Sequence, residues 1–226
     1  NKKRSLITIT SIFAALFLII FMRALQFGFY DNLIKTVVES YAGYVEVHAK
    51  GFWDNQNLEN SMVVDNELIK NIETVNGVEN TVERLQSFSL ISTGDKTRGG
   101  VINGVVIEDE QKITDWNKNI IDGSFQLERN EIIIAKGIAE YFDLQIGDSL
   151  ILYGQGYRGM MAAGKYPVKG IIDLKNPNLN KIGIFMTLES ARDYVSSDNI
   201  STHIIIDKRQ YYSEDKILND LENILS

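Results

Sequence analysis

The chain has 226 residues, 23 basic against 30 acidic, with no cysteine, two prolines and 44% hydrophobic residues. That composition describes an ordered globular chain and excludes disulfide and thiolate chemistry. Setting aside Lys2, Lys3, Arg4 and Arg23, 19 cations face 30 acidic residues, a balance near −11. So acidic a surface excludes nucleic-acid binding by counterion release and a polybasic lipid-surface role.

Ser5 to Met22 carry no charge. At about 1.5 Å per helical residue this run spans roughly 27 Å, close to the hydrocarbon thickness of a bilayer. Lys2, Lys3 and Arg4 precede it and place its N-terminal side in the cytoplasm. A cleaved signal peptide has an apolar core of about 7–15 residues and a small-residue cleavage step. This run is longer, and Met22-Arg23-Ala24-Leu25-Gln26-Phe27 offers no such step. A retained anchor is therefore expected, ahead of a signal peptide or a buried soluble helix. Residues after about Arg23 then lie outside the cytoplasm. About 200 residues remain, enough for one large domain or two small ones.

From Ala24 to Tyr41 apolar residues recur at helical spacing: Leu25, Phe29, Leu33 and Val37, with Tyr30, Ile34, Val38 and Tyr41 beside them. The span is thus expected to continue as a stalk that stops at Gly43. Tyr44 to Ala49 alternates like a half-buried strand. Asp65 is placed to cap a helix through Leu68, Ile69 and Ile72, closed near Gly77. Val78–Ser92 and Thr97–Ile107 read as strands joined by the turn Thr93-Gly94-Asp95-Lys96. Asp122-Gly123 marks a turn, Glu131–Ala135 a buried strand, and Lys136–Phe142 a helix. Gly147-Asp148 turns into a strand from Ser149 to Tyr153. Tyr166–Leu174, Gly183–Met186 and Thr202–Ile206 are further strands, with a Thr187-capped helix through Ala191, Tyr194 and Val195. A last helix runs from Ser213, its apolar residues being Ile217, Leu218, Leu221, Ile224 and Leu225. Mixed elements without regular alternation predict an α+β fold.

Few residues suggest chemistry. Gly159 to Lys165 matches seven positions of a phosphate-binding loop, but Tyr166 stands where a magnesium-binding hydroxyl belongs, and a strand follows where a helix must. No nucleotide or other cofactor is expected. His48 and His203 sit in separate strand-like runs without metal-ligand spacing, so they read as packed or surface histidines and no metal is assigned. Glu108-Asp109-Glu110 reads as solvated turn residues. Nucleophile motifs and diagnostic carboxylate pairs are missing, and no catalytic residue is assigned. Gly154 to Lys165 joins two strand-like runs through four glycines and carries Gln155, Tyr157, Arg158, Met160 and Met161. A hairpin loop that long suggests function, and Tyr, Arg and Met favour interfaces, so these five are the candidate partner contacts; a merely flexible loop is the alternative.

The order of features resembles the first membrane helix and outer domain of the MacB/LolC/LolE/FtsX-type ABC transporter permeases, nearest the lipoprotein-releasing branch. The resemblance rests on the basic start and anchor running into Tyr30–Ile34, on Val101–Val105, Ile120–Phe125, Asn130–Ala139, Leu144–Leu150 and Tyr166–Ile172. It implies an N-terminal transmembrane helix with stalk over 1–43, a Porter-like lobe from 44–108 and 183–226, and a Sabre-like lobe over 109–182. The chain would then stop before a second helix. The resemblance also implies a bacterial inner-membrane protein, a separate cytoplasmic ATPase subunit, and a second permease chain as homo- or heterodimer. In the lipoprotein-releasing members a hairpin at the place of Gly154–Lys165 hooks a periplasmic carrier. The expected role is transport driven by the partner's ATP hydrolysis, either lipoprotein release or efflux. A membrane-anchored sensor domain of a signalling receptor is the rival reading.

Overall fold

A computed structural model describes residues 2–37, 43–209 and 211–225, with side chains of Lys2, Ser5, Thr8 and Tyr30–Val37 outside the description. The chain forms two compact units, 1–38 and 39–226.

The first unit is one uninterrupted helix, α1 (Lys2–Val37), of 36 residues. At 1.5 Å per residue it is about 54 Å long. Its stretch Ile9–Phe29 is long and apolar enough to cross a membrane. Leu25, Phe27 and Phe29 carry the apolar character past Arg23, so this stretch lies a few residues beyond the expected Ser5–Met22. Leu16, Phe17 and Ile20 are exposed on the isolated helix, as lipid-facing side chains are. The expected continuation past Met22 is present through Val37. Val38 to Tyr41, the end of the expected stalk, lie outside the described residues.

The second unit contains strands β1 (Val45–Val47), β2 (Met62–Val63), β3 (Val78–Ser92), β4 (Thr97–Val105), β5 (Ile120–Gly123), β6 (Ile132–Ala135), β7 (Ser149–Gln155), β8 (Met161–Ile172), β9 (Gly183–Thr187), β10 (Ile200–Ser201) and β11 (His203–Lys208). Its helices are α2 (Asn66–Glu73), α3 (Ile107–Ile113), α4 (Lys136–Phe142), α5 (Leu179–Ile182), α6 (Leu188–Val195) and α7 (Glu214–Leu225). One mixed sheet runs β1-β11-β3-β4-β9-β6-β8-β5, with β7 pairing both β3 and β8. β4 and β9 are parallel, as are β6 and β8. This sheet passes through both expected lobes without a break.

Side-chain alternation explains why the sheet needs cover on two faces. Ile132 and Ile134 join one buried cluster while Ile133 joins another, and Ile184 and Phe185 divide the same way. Such strands read as continuous apolar runs, which is why Glu131–Ala135 was legible as buried. On one face α4 and α6 pack Ile138, Ala191 and Tyr194 onto Leu150, Leu152 and Met186. On the other, Trp116 meets Phe185 edge to face, ring centroids 4.6 Å apart. A third cluster buries Ile72 of α2 and Ile217 and Leu221 of α7 against Ile204 and Ile206. Leu218, Ile224 and Leu225 of α7 stay exposed, because the buried stripe is narrower than the apolar spacing suggests.

The expected caps form. Asp65 accepts from the Leu68 N–H at 2.8 Å, and Thr187 from the Ser190 N–H at 3.2 Å. Thr93 to Lys96 closes the β3–β4 hairpin, with Ser92 opposite Thr97.

One acidic run differs from expectation. Glu108, Asp109 and Glu110 form the first turn of α3 and not a solvated turn. Carboxylates suit a helix N-terminus, where unpaired N–H groups present positive charge. Glu110 is fully buried and takes two hydrogen bonds from Arg84, at 2.9 and 2.5 Å. The Arg84 guanidinium also lies over the Trp116 ring, 5.2 Å from its centroid.

Candidate functional site

The segment Gly154–Lys165 is not a long loop. β7 and β8 pair from Ser149↔Pro167 out to Gln155↔Met161, leaving only Gly156 to Met160 as the connection. Two of the four glycines, Gly154 and Gly164, are strand positions with no room for a side chain, while Gly156 and Gly159 belong to the connection. A Cβ on Gly154 would lie 2.8 Å from the Tyr194 hydroxyl oxygen and 2.9 Å from the Phe88 carbonyl oxygen. A Cβ on Gly164 would lie 2.5 Å from the Tyr166 ring. Close approach of backbone to neighbours is a common reason for glycine within a strand. Gly159 to Lys165 accordingly spans a hairpin tip and a strand.

The tip is well defined. Gly156 N–H donates to the Met160 carbonyl at 2.7 Å, and Met160 N–H to the Tyr157 carbonyl at 3.2 Å. Arg158 takes left-handed backbone angles, φ 52° and ψ 39°, an uncommon state for a residue with a Cβ. Its guanidinium sits 5.2 Å from the Tyr157 ring centroid. Tyr157 is half-buried against the main core, beside Leu58. Gln155, Arg158 and Met160 are exposed, and Met161 is 83% exposed. The five candidate residues are therefore together on one tip, with Tyr157 as its anchor and the others facing solvent.

Beside the tip lies a cleft of about 240 Å³ lined by Phe52, Leu58, Gln86, Phe88, Gln155 and Gly156 among others. Next to it the sheet presents apolar side chains outward. Leu90 and Tyr153 are register partners, and both are about half exposed, as is Phe88. Their serine neighbours point inward: Ser87 and Ser89 are buried. Ser89 Oγ donates to the Tyr153 carbonyl at 3.0 Å and accepts from the Tyr194 hydroxyl at 2.9 Å. Burial raises the Tyr194 pKa. Phe88, Leu90 and Tyr153 extend the tip into an apolar strip. Among the described residues this strip and cleft are the surface the sequence reading missed.

The two histidines are packed, as expected, but against each other. They face each other across the β1–β11 ladder, ring centroids 4.7 Å apart, with Glu46 3.1 Å from His48 Nε2. Burial, with His48 alongside, pushes the His203 pKa down to about 4.

The sequence pattern of the MacB-like periplasmic core domain matches residues 5–223. The chain belongs to this family. Two solved structures share the fold of the MacB-like domain. The extracellular domain of the noncanonic ABC-type transporter YknZ from Gram-positive bacteria is 14% identical, with a TM-score of 0.51 over 77% of this chain and 86% of that one. The periplasmic region of MacB from Actinobacillus actinomycetemcomitans is 9% identical, with a TM-score of 0.55 over 80% of each chain. No curated protein sequence matches the chain. A MacB-like domain carried behind an apolar helix is the extracytoplasmic domain type of ABC-transporter permeases.

Proposed function

We propose that this chain is the first membrane helix and outer domain of an ABC-transporter permease subunit of the bacterial inner membrane, driven by a separate cytoplasmic ATPase and paired with a second permease chain. The observation that carries this reading is the family match over residues 5–223 on a chain whose first 36-residue helix is uninterrupted. On this reading the chain has no catalytic role of its own; the partner hydrolyses ATP and the outer domain handles cargo.

The hairpin tip and its apolar strip are the surface for a soluble partner, a periplasmic carrier or a lipoprotein. Tyr157, Arg158 and Met160 are side chains enriched at interfaces, held on a short connection. Phe88, Leu90 and Tyr153 add an apolar floor of the sort that marks contact sites. This arrangement favours lipoprotein release over small-molecule efflux, because it is a docking face and not an enclosed cavity. Purification of the full-length protein from its native host tests the proposal. Recovery of an ATPase subunit and a second permease chain is the expected result. Recovery of a kinase-type signalling partner in their place would overturn it.

A further inference from the structure

The Glu46, His48 and His203 cluster plays no part in the transport reading, yet its geometry is specific. In the β1–β11 ladder Val47 stands opposite Ile204, and continuing that register by one residue sets His48 opposite His203. Glu46 lies two residues before His48, on the same face of an extended segment. One ligating atom from each of the three lies within 4.8 Å of the others.

Hydrogen bonding assigns the ring nitrogens. His48 Nδ1 is 3.1 Å from the Thr202 carbonyl oxygen, which can only accept, so Nδ1 carries the proton. Thr202 Oγ1 accepts from the Gln86 N–H at 2.8 Å and donates its own hydrogen to the Arg84 carbonyl at 3.2 Å. With the hydroxyl hydrogen on that carbonyl, Thr202 Oγ1 meets His203 Nδ1, 2.6 Å away, with a lone pair, the arrangement in which that nitrogen also carries a proton. In neutral rings both Nε2 atoms then hold lone pairs. His48 Nε2 faces a Glu46 carboxylate oxygen at 3.1 Å, two acceptors in contact. A cation between them resolves the conflict. Imidazoles whose outer nitrogen is held by a carbonyl or hydroxyl are the usual form of metal-ligating histidine.

The surroundings favour a dry, directional site. The Phe52 ring is parallel to His48, 5.3 Å between centroids, and Trp53 closes the edge at 4.9 Å. The His48 side chain is 7% exposed and that of Glu46 23%, which leaves the carboxylate free to adjust.

We propose that Glu46, His48 and His203 bind one divalent transition ion of the zinc class. Two imidazoles and a carboxylate suit zinc and its neighbours and not magnesium or calcium, which take oxygen donors. Bond lengths near 2.1 Å require donors roughly 3.4 Å apart, so the cluster closes by about 1.4 Å, within side-chain reach. Three protein ligands leave a fourth position for water or a donor from another molecule. The ion would clip the three-residue edge strand β1 to β11.

The test is calorimetric titration of the chelator-stripped full-length protein in detergent with zinc chloride alone, with magnesium chloride as control. One zinc per chain, with no magnesium response, is expected. Glu46→Gln should weaken zinc binding at least tenfold, and His48→Gln with His203→Gln should abolish it. Thr202→Val, which touches no ion, should weaken it about 10–100-fold through loss of the His203 partner. Cobalt(II) substitution should give a visible spectrum of nitrogen and oxygen coordination that Glu46→Gln alters. No saturable zinc binding below about millimolar, as for a simple Glu46–His48 proton pair, would overturn the proposal. So would zinc binding that survives Glu46→Gln and the double histidine variant with unchanged circular dichroism.

Discussion

Removing the Glu110 carboxylate is the sharpest test of how α3 is held to the sheet. Arg84 on β3 meets Glu110 in a two-pronged contact, and the two side chains are 3% and 0% exposed. Glu110→Ala leaves a guanidinium desolvated and short of its counter-charge. Breaking a buried pair from one side costs about 3–5 kcal/mol. For a chain of this size that lowers Tm by roughly 6–20 °C, at about 2–4 °C per kcal/mol. The double replacement Arg84→Met with Glu110→Leu removes both charges and keeps similar volume. Buried pairs replaced this way are often neutral or stabilising, so the double variant should recover most of the loss. Thermal and urea unfolding of the full-length protein, followed by near-ultraviolet circular dichroism, gives the comparison. Trp116, under the guanidinium, is one of only two tryptophans and reports on the same spot. Glu110→Ala within about 1 kcal/mol of the parent, or a double variant as damaged as the single one, would refute the reasoning.

At the hairpin tip, Tyr157→Ala with Arg158→Ala should weaken capture of a soluble partner at least tenfold, since truncated Tyr and Arg anchors commonly cost about 2 kcal/mol or more. The domain should stay folded, and a pull-down with unchanged capture removes the hook reading. A pH series should show His203. In the metal-free protein its folded pKa, about 4, lies below the ordinary value of 6.5, through burial first and then its neighbour His48, with Glu46 opposing and Arg84 adding to the shift. The unfolded chain therefore takes the proton first as pH falls. Stability should drop between pH 6.5 and 4, by about 3 kcal/mol at most, and His203→Gln should flatten that part of the profile. Equal slopes for parent and variant across the window would contradict this.

Local signals in the sequence carried far. A side-chain oxygen three residues before an N–H fixes the caps at Asp65 and Thr187, and a turn tetrapeptide fixes the β3–β4 hairpin. Each depends on neighbours in the chain. What escaped depends on distant ones. The contact of His48 with His203 exists only because β1 pairs with β11, 155 residues away at that point. Gly154 and Gly164 read as loop glycines because Tyr194, Phe88 and Tyr166, which fill their space, are not visible from composition. β3 defeats the usual inference most directly. In Ser87-Phe88-Ser89-Leu90 the alternation is clear, but the serines face inward and the apolar residues outward. Pattern alone assigns the period and leaves the face to be settled by partners, here the hydrogen bonds of Ser89.

β3 has a mechanical consequence. It is a single strand of 15 residues, about 50 Å at 3.3 Å per residue. Its first half pairs with β11, its last four residues pair with β7, and its ladder with β4 has no register shift. Tilted as one rigid strand it would act as a lever arm, its one register shift, opposite Asp207 and Lys208, lying at its start. A tilt of about 5° at the β11 end would displace Phe88, about 33 Å along, by about 3 Å. The hairpin tip sits part-way along the strand, beside Gln86 to Phe88, because β7 runs antiparallel and brings Gly154 opposite Ser89. A small rotation near α2 and α7 would thus become a side-chain-sized shift of the exposed Phe88 and Leu90.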